Sequence, residues 1–198
     1  MSNGDGMVDL EVRACERCPE LCDSRSRIVN GAGPADADLL FVGEAPGARE
    51  DERGEPFVGR SGDVLDATLR DAGLDRASVR ITNCVRCRPP DNRDPTAGEL
   101  ANCRGYLEQE IERVDPEVVV TLGKVPAEHL LGRDVAVTSE AGDVVEVTVA
   151  GAARRVLVSV HPAATLYDRS QEETFERAIR RAAEFTDGES GQSRLGEF

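Results

Sequence analysis

Short apolar runs bounded by turn residues alternate along this chain with longer segments of helical period. The runs are ADLLFVG ending at Gly43, SVRITNCV ending near Cys87, PEVVVTLG ending at Gly123 and RRVLVSV ending at His161. Each is rich in Val, Ile and Leu, as expected of strands buried on both faces. Between and after them lie SGDVLDATLRDAGL, TAGELANCRGYLEQEIERV, KVPAEHLLG and SQEETFERAIRRAAEF, whose spacing predicts helices. Ser61 with Val64 and Leu65 behind it, and Thr96 with Glu99 three residues on, mark helix starts. Strands alternating with helices predict an α/β fold, a parallel sheet covered on both faces. VAVTSEAGDVVEVTVAGAARRVLVSV breaks the rhythm. It predicts an antiparallel hairpin feeding the last core strand, with turns at Ala141-Gly142-Asp143 and Ala150-Gly151-Ala152.

Open α/β sheets bind ligands outside the carboxyl ends of their strands. The segments there are GEAPG, NCVRCRPPDNR, LGK and HPAATL, which put an acid (Glu44), an amide (Asn83) and an imidazole (His161) on one rim. The first of these segments continues into five carboxylates within twelve residues, Glu44 to Glu55, followed by Phe57 between Pro56 and Gly59. An aromatic ring in so polar a loop either anchors the loop to the core or offers a stacking platform for a flat ligand. A lone Asn at a strand end most simply forms a turn. Its amide also presents one acceptor and two donors, which can read a pyrimidine edge. His161 precedes Pro162 on the rim, where a neutral imidazole N–H can stabilise a developing oxyanion. The other histidine, His129, fits a structural role inside its helix.

At 198 residues and 39% hydrophobic content the chain can build one core. No apolar run is long enough to span a bilayer, and the N-terminus lacks a signal-peptide core, so a soluble cytoplasmic protein is expected. The net charge is −14, and Lys124 is the only lysine among 24 basic residues. That balance fits an ordinary acidic cytosolic protein or, more sharply, a high-salt cytoplasm, where an acidic surface stays solvated; the scarcity of lysine favours the second, although a GC-rich genome also replaces Lys by Arg, and the charge by itself opposes a nucleic-acid partner. All six cysteines, Cys15, Cys18, Cys22, Cys84, Cys87 and Cys103, lie in the first 103 residues. In an intracellular chain this favours a metal over disulfides. The C-x-x-C pair Cys15 and Cys18, with Cys87 and Cys103, makes a four-sulfur set suited to zinc or an iron–sulfur cluster, leaving Cys22 and Cys84 over. It would tie the N-terminal segment to the sheet, a structural role.

The ordered motifs GEAPGAREDERGEPFVGRSG, TNCVRCRPPDNRDPTAGELANC, PEVVVTLG and SVHPAATL closely resemble the family 4 uracil-DNA glycosylases, the iron–sulfur type of archaea and thermophilic bacteria, from Cys15 to about Ala183. The acidic, lysine-poor composition would place this member in a halophilic archaeon. The resemblance implies a three-layer α/β/α sandwich with a central parallel four-stranded sheet. It implies a structural [4Fe–4S] cluster on Cys15, Cys18, Cys87 and Cys103. Uracil flipped out of single- or double-stranded DNA would stack on Phe57, with Asn83 on its edge, His161 facing its O2 carbonyl, and Gly43 and Glu44 of the GEAPG loop beside the sugar. The implied reaction is hydrolysis of the N-glycosidic bond, starting base excision repair. Glu44 is the first candidate for positioning water and Glu50 the second, with Asp51, Glu52 and Glu55 expected to face solvent. The region after the Asn83 strand has no histidine, unlike a related subgroup that crosslinks to uracil-DNA, which favours turnover.

In high salt, phosphate contacts lose their counterion-release gain, so DNA binding must lean on stacking, hydrogen bonds and a wedge. Leu166, after HPAAT, is the wedge candidate and equally a candidate core leucine. Arg86, Arg88, Arg93 and Arg169 are candidates for a local positive path. Residues 1–186 are expected to form one glycosylase domain, monomeric, and 187–198 a flexible tail. In that tail Gln192, Leu195 and Phe198 match the spacing of a sliding-clamp (PCNA) binding peptide. Two other readings stand beside the enzyme: a non-catalytic binder of uracil-containing DNA, and a metal-stabilised α/β hydrolase acting on a nucleotide or other small ligand.

Overall fold

The computed structural model describes residues 7–187. An antiparallel pair, β1 (Met7–Val8) and β2 (Glu11–Val12), leads into the short helix α1 (Pro19–Ser24). The main fold then runs β3 (Leu39–Gly43), α2 (Ala48–Arg53), α3 (Arg60–Asp71), β4 (Arg80–Asn83), α4 (Ala97–Val114), β5 (Val118–Leu122) and α5 (Lys124–Leu131). It closes with α6 (Val137–Glu140), β6 (Val144–Val149), β7 (Ala152–Ser159), α7 (Pro162–Thr165) and α8 (Ser170–Asp187).

The sheet order is β4-β3-β5-β7-β6, with the first four strands parallel and β6 antiparallel to β7. The four expected parallel strands are therefore present, and the sheet has a fifth, because the hairpin's first leg pairs into it as an edge. The hairpin turn is Ala150-Gly151, both residues at positive φ (52° and 77°), as a two-residue connection that follows the strand twist requires. Ahead of it, Val137–Glu140 is a helical turn, not a strand.

Period-2 alternation builds the two core layers. Leu39 and Phe41 point to one face with Leu65, Leu69, Phe175 and Ile179 of α3 and α8. Leu40 and Val42 point to the other with Leu107, Ile111 and Leu130 of α4 and α5. The result is the expected α/β/α layering. Thr96 caps α4 through a complete capping box with Glu99. Ser61 is not a cap: α3 starts at Arg60 after Gly59, with no side-chain capping bond. Among the described residues no helix is long and apolar enough to cross a membrane.

Candidate active site

Parallel strands bring their carboxyl ends to one rim. Gly43 and Asn83 are register partners at the ends of β3 and β4, so Glu44 follows directly beside Asn83. His161 follows β7 and caps α7. Gly123, after β5, sits at φ 108°, and a methyl group there would lie 3.1 Å from His161 Cβ. The rings of Phe57 and His161 lie 5.9 Å apart, centroid to centroid, tilted by 32°. Gly43 is required by close approach: a methyl there would stand 2.4 Å from Asn83 Oδ1 and 2.5 Å from Phe57 Cε2. Gly43, Phe57, Asn83 and His161 therefore form one contiguous group, with Phe57 and Asn83 buried.

Phe57 adopts φ 52°, a left-handed conformation costly for an aromatic residue and held only by its surroundings. Two features hold it. Glu50 Oε1 accepts hydrogen bonds from the Val58 and Gly59 N–H groups at 3.1 and 3.0 Å. Gly62 lets the Phe57 carbonyl approach so closely that a methyl would lie 1.9 Å from its oxygen.

His161 Nδ1 accepts the Ala163 N–H at 3.1 Å. Burial pushes the imidazole down to about 4, partly offset by the Glu50 charge. A neutral ring whose Nδ1 is an acceptor carries its proton on Nε2, which leaves an N–H to donate. Glu44 moves the other way. Burial first, then the charge and hydrogen bond of Asp94, raise its carboxyl to about 7. Asp94 escaped the sequence reading because nothing local marks it as the partner of Glu44.

Leu166 and Tyr167 are exposed, at 42% and 80%, just beyond α7. Leu166 is therefore not a core leucine. The arginines divide. Arg86 is buried, with Nη2 2.6 Å from Glu110 Oε2, while Arg80 Nε meets Glu110 Oε1 at 2.6 Å. It cannot face DNA. Arg93 pairs with Glu99 and Glu20 and Arg88 with Asn92, whereas Arg169 is exposed. Asp51 is also a correction: it is 3% exposed and does not face solvent. Glu52 and Glu55 are exposed as expected.

Cys87 and Cys103 pack in one group with Tyr106 and Leu21, against which Cys15 and Cys18 lie. Three sulfurs face N–H donors. Arg25 Nη1 donates to Cys87 Sγ at 2.9 Å, Asn102 Nδ2 to Cys18 Sγ at 3.3 Å, and the Arg86 backbone to Cys103. Cys84 is fully buried, where desolvation raises its thiol strongly, and Cys22 Sγ is spent on the Cys15 carbonyl at 3.5 Å. Among the described residues no three His, Cys, Asp or Glu side chains converge on a single metal-ion position. Gln192, Leu195 and Phe198 lie outside the described residues.

Residues 30–183 match the model of the uracil DNA glycosylase superfamily. A type-4 uracil-DNA glycosylase of Archaeoglobus fulgidus is 38% identical over 178 residues, covering 88% of this chain and 89% of the relative. That of Thermotoga maritima is 40% identical, covering 84% and 85%. A type-5 uracil-DNA glycosylase of Pyrobaculum aerophilum is 34% identical, covering 85% and 88%. A superfamily match over residues 30–183, with type-4 relatives 38% and 40% identical along most of the chain, places this protein in the uracil DNA glycosylase superfamily, alongside its type-4 members.

Proposed function

We propose that the protein is a uracil-DNA glycosylase that hydrolyses the N-glycosidic bond of a deoxyuridine flipped out of DNA, leaving an abasic site for base excision repair. The observation that carries this reading is the Nε2-protonated, neutral imidazole of His161 against the ring of Phe57. As the bond breaks, the sugar gains oxocarbenium character and uracil leaves with negative charge on O2. The His161 Nε2–H stabilises that oxyanion. Phe57 holds the base by its face. Asn83 accepts from the uracil N3–H and donates to O4.

Glu44, once ionised, orients the attacking water and stabilises the cationic sugar. Glu50 has Oε1 committed to two backbone N–H groups, so we assign it to holding the Phe57 loop and the water to Glu44. Leu166, exposed beyond α7, fills the gap left by the flipped base.

Cys15, Cys18, Cys87 and Cys103 would hold a [4Fe–4S] cluster. The donor chemistry fits: N–H groups aimed at sulfur favour thiolate ligands. Four cysteines packed in one group supply the thiolate donor set that such a cluster takes. When bound, it would cross-link the N-terminal segment to β4 and α4. The Gln192, Leu195 and Phe198 spacing would tether the enzyme to a sliding clamp; clamp capture should be lost in Phe198→Ala. The acidic surface suits a monomeric enzyme of a halophilic cytoplasm.

The test is incubation at high salt with a single-stranded oligonucleotide carrying one uracil, followed by alkali, beside thymine and cytosine controls. Strand cleavage only at uracil is expected. Intact DNA from iron-loaded protein would overturn the enzymatic reading and leave that of a non-catalytic binder.

A further inference from the structure

We infer that α2 is a strut coupling the cysteine group to the uracil-stacking ring, with Asp51 as its positioning residue. The inference rests on the glycosylase and cluster readings above.

Asp51 is buried, yet both of its oxygens are filled from a distant segment: the Ser26 N–H meets Oδ1 and Oδ2 at 2.9 Å each, and the Arg27 N–H meets Oδ1 at 3.2 Å. The residue before that pair, Arg25, grips the cysteine group. Its Nη1 donates to Cys87 Sγ at 2.9 Å and its Nη2 to the Cys15 carbonyl at 2.7 Å. The stem of Arg27 lies against Gly54 at the end of α2, where a methyl group would stand 2.9 Å from Arg27 Cδ. The segment 25–27 is thus bound to the cysteines on one side and to α2 on the other.

The neighbouring residue on α2 completes the path. Glu50 takes the Val58 and Gly59 N–H groups and fixes the loop in which Phe57 holds its left-handed backbone. Two successive carboxylates on one six-residue helix therefore bind two different loops, one leading to Cys87 and one to Phe57. A buried carboxylate is stable only with its oxygens satisfied, so neither loop shifts without stranding a charge. Displacement at the cysteines is carried to the ring, and occupancy at the ring is carried back, since coupling between sites is reciprocal.

Asp51→Ala removes the middle of the path and touches neither the cysteines nor the base. The experiment measures iron per chain, KM and kcat on a uracil oligonucleotide, and the visible circular dichroism of the iron-loaded protein with and without free uracil. Wild type should show a dichroism change on adding uracil. Asp51→Ala should keep its iron, raise KM about tenfold with kcat within about twofold, and lose the uracil-induced dichroism change at saturating uracil. A wild-type KM and dichroism response in Asp51→Ala, or no response in wild type, would overturn the inference. Should Asp51→Ala not fold, Asp51→Asn carries the test: it keeps one acceptor oxygen, so a smaller rise in KM with a weakened response supports the strut, and unchanged values overturn it. Failure of the readings beneath is visible separately, as wild type that binds no iron or cleaves no uracil site.

Discussion

His161 Nδ1 accepts the backbone N–H of Ala163, two residues on, at 3.1 Å, and this bond leaves the proton of the neutral ring on Nε2, the tautomer on which the proposed reaction relies. With the imidazole held near 4 by burial, no histidine inflection should appear near pH 6.5 in kcat; loss through this group should be half complete at about 4. His161→Ala should lower kcat by about 10²–10³ with a smaller effect on KM, read from steady-state kinetics. Because the folded value lies below the usual 6.5, this group's contribution to stability is present above 6.5 and is lost as pH falls toward 4.

Glu44 predicts the acid limb of the pH profile. Its carboxyl, raised to about 7 by burial and by Asp94, must ionise for the water-orienting role proposed for it, so kcat should rise with a midpoint at about pH 7 and level off above it. Glu44→Gln should abolish the limb together with most of the activity. Asp94→Asn should move the inflection to lower pH without restoring an ordinary carboxylate value, since burial is the larger cause. The native state holds this proton more tightly than the unfolded chain, so stability from Glu44 is full below about 4.5 and declines as pH rises to 7.

Gly43→Ala tests the packing of the pocket floor. A methyl group 2.4 Å from Asn83 Oδ1 and 2.5 Å from the Phe57 ring must displace one of them. The expected result is a KM raised by about tenfold or more, as for loss of a well-placed contact. Unchanged kinetics would show that neither side chain holds the base.

Glu110→Gln tests the buried triad. Glu110 is fully buried between Arg80 and Arg86, each at 2.6 Å. Removing the carboxylate leaves two guanidinium groups uncompensated, at a cost of about 3–5 kcal/mol. Denaturant titration at fixed salt would read it.

The sequence by itself determined the four parallel strands, the main helices and the rim. Each depends on local periodicity and on chain order: apolar runs of strand length, helical spacing between them, and parallel strands whose carboxyl ends share one edge. Glu44, Asn83 and His161 were legible because each follows or ends such a run. The Thr96 capping box was legible because both of its members lie within four residues.

What tertiary structure decided is a matter of partners far apart in the chain. Asp51, expected in solvent, is buried because Ser26 and Arg27, about 25 residues away, supply its hydrogen bonds. Arg86, expected on the DNA path, is drawn inward by Glu110 on α4. The fifth strand enters the sheet because β6 finds β7's free edge, and Leu166, just past the end of α7, is left exposed. Local pattern records how a side chain is spaced along its own element; whether an ionised group is buried depends on which distant charge or N–H meets it, and that appears only when the layers close.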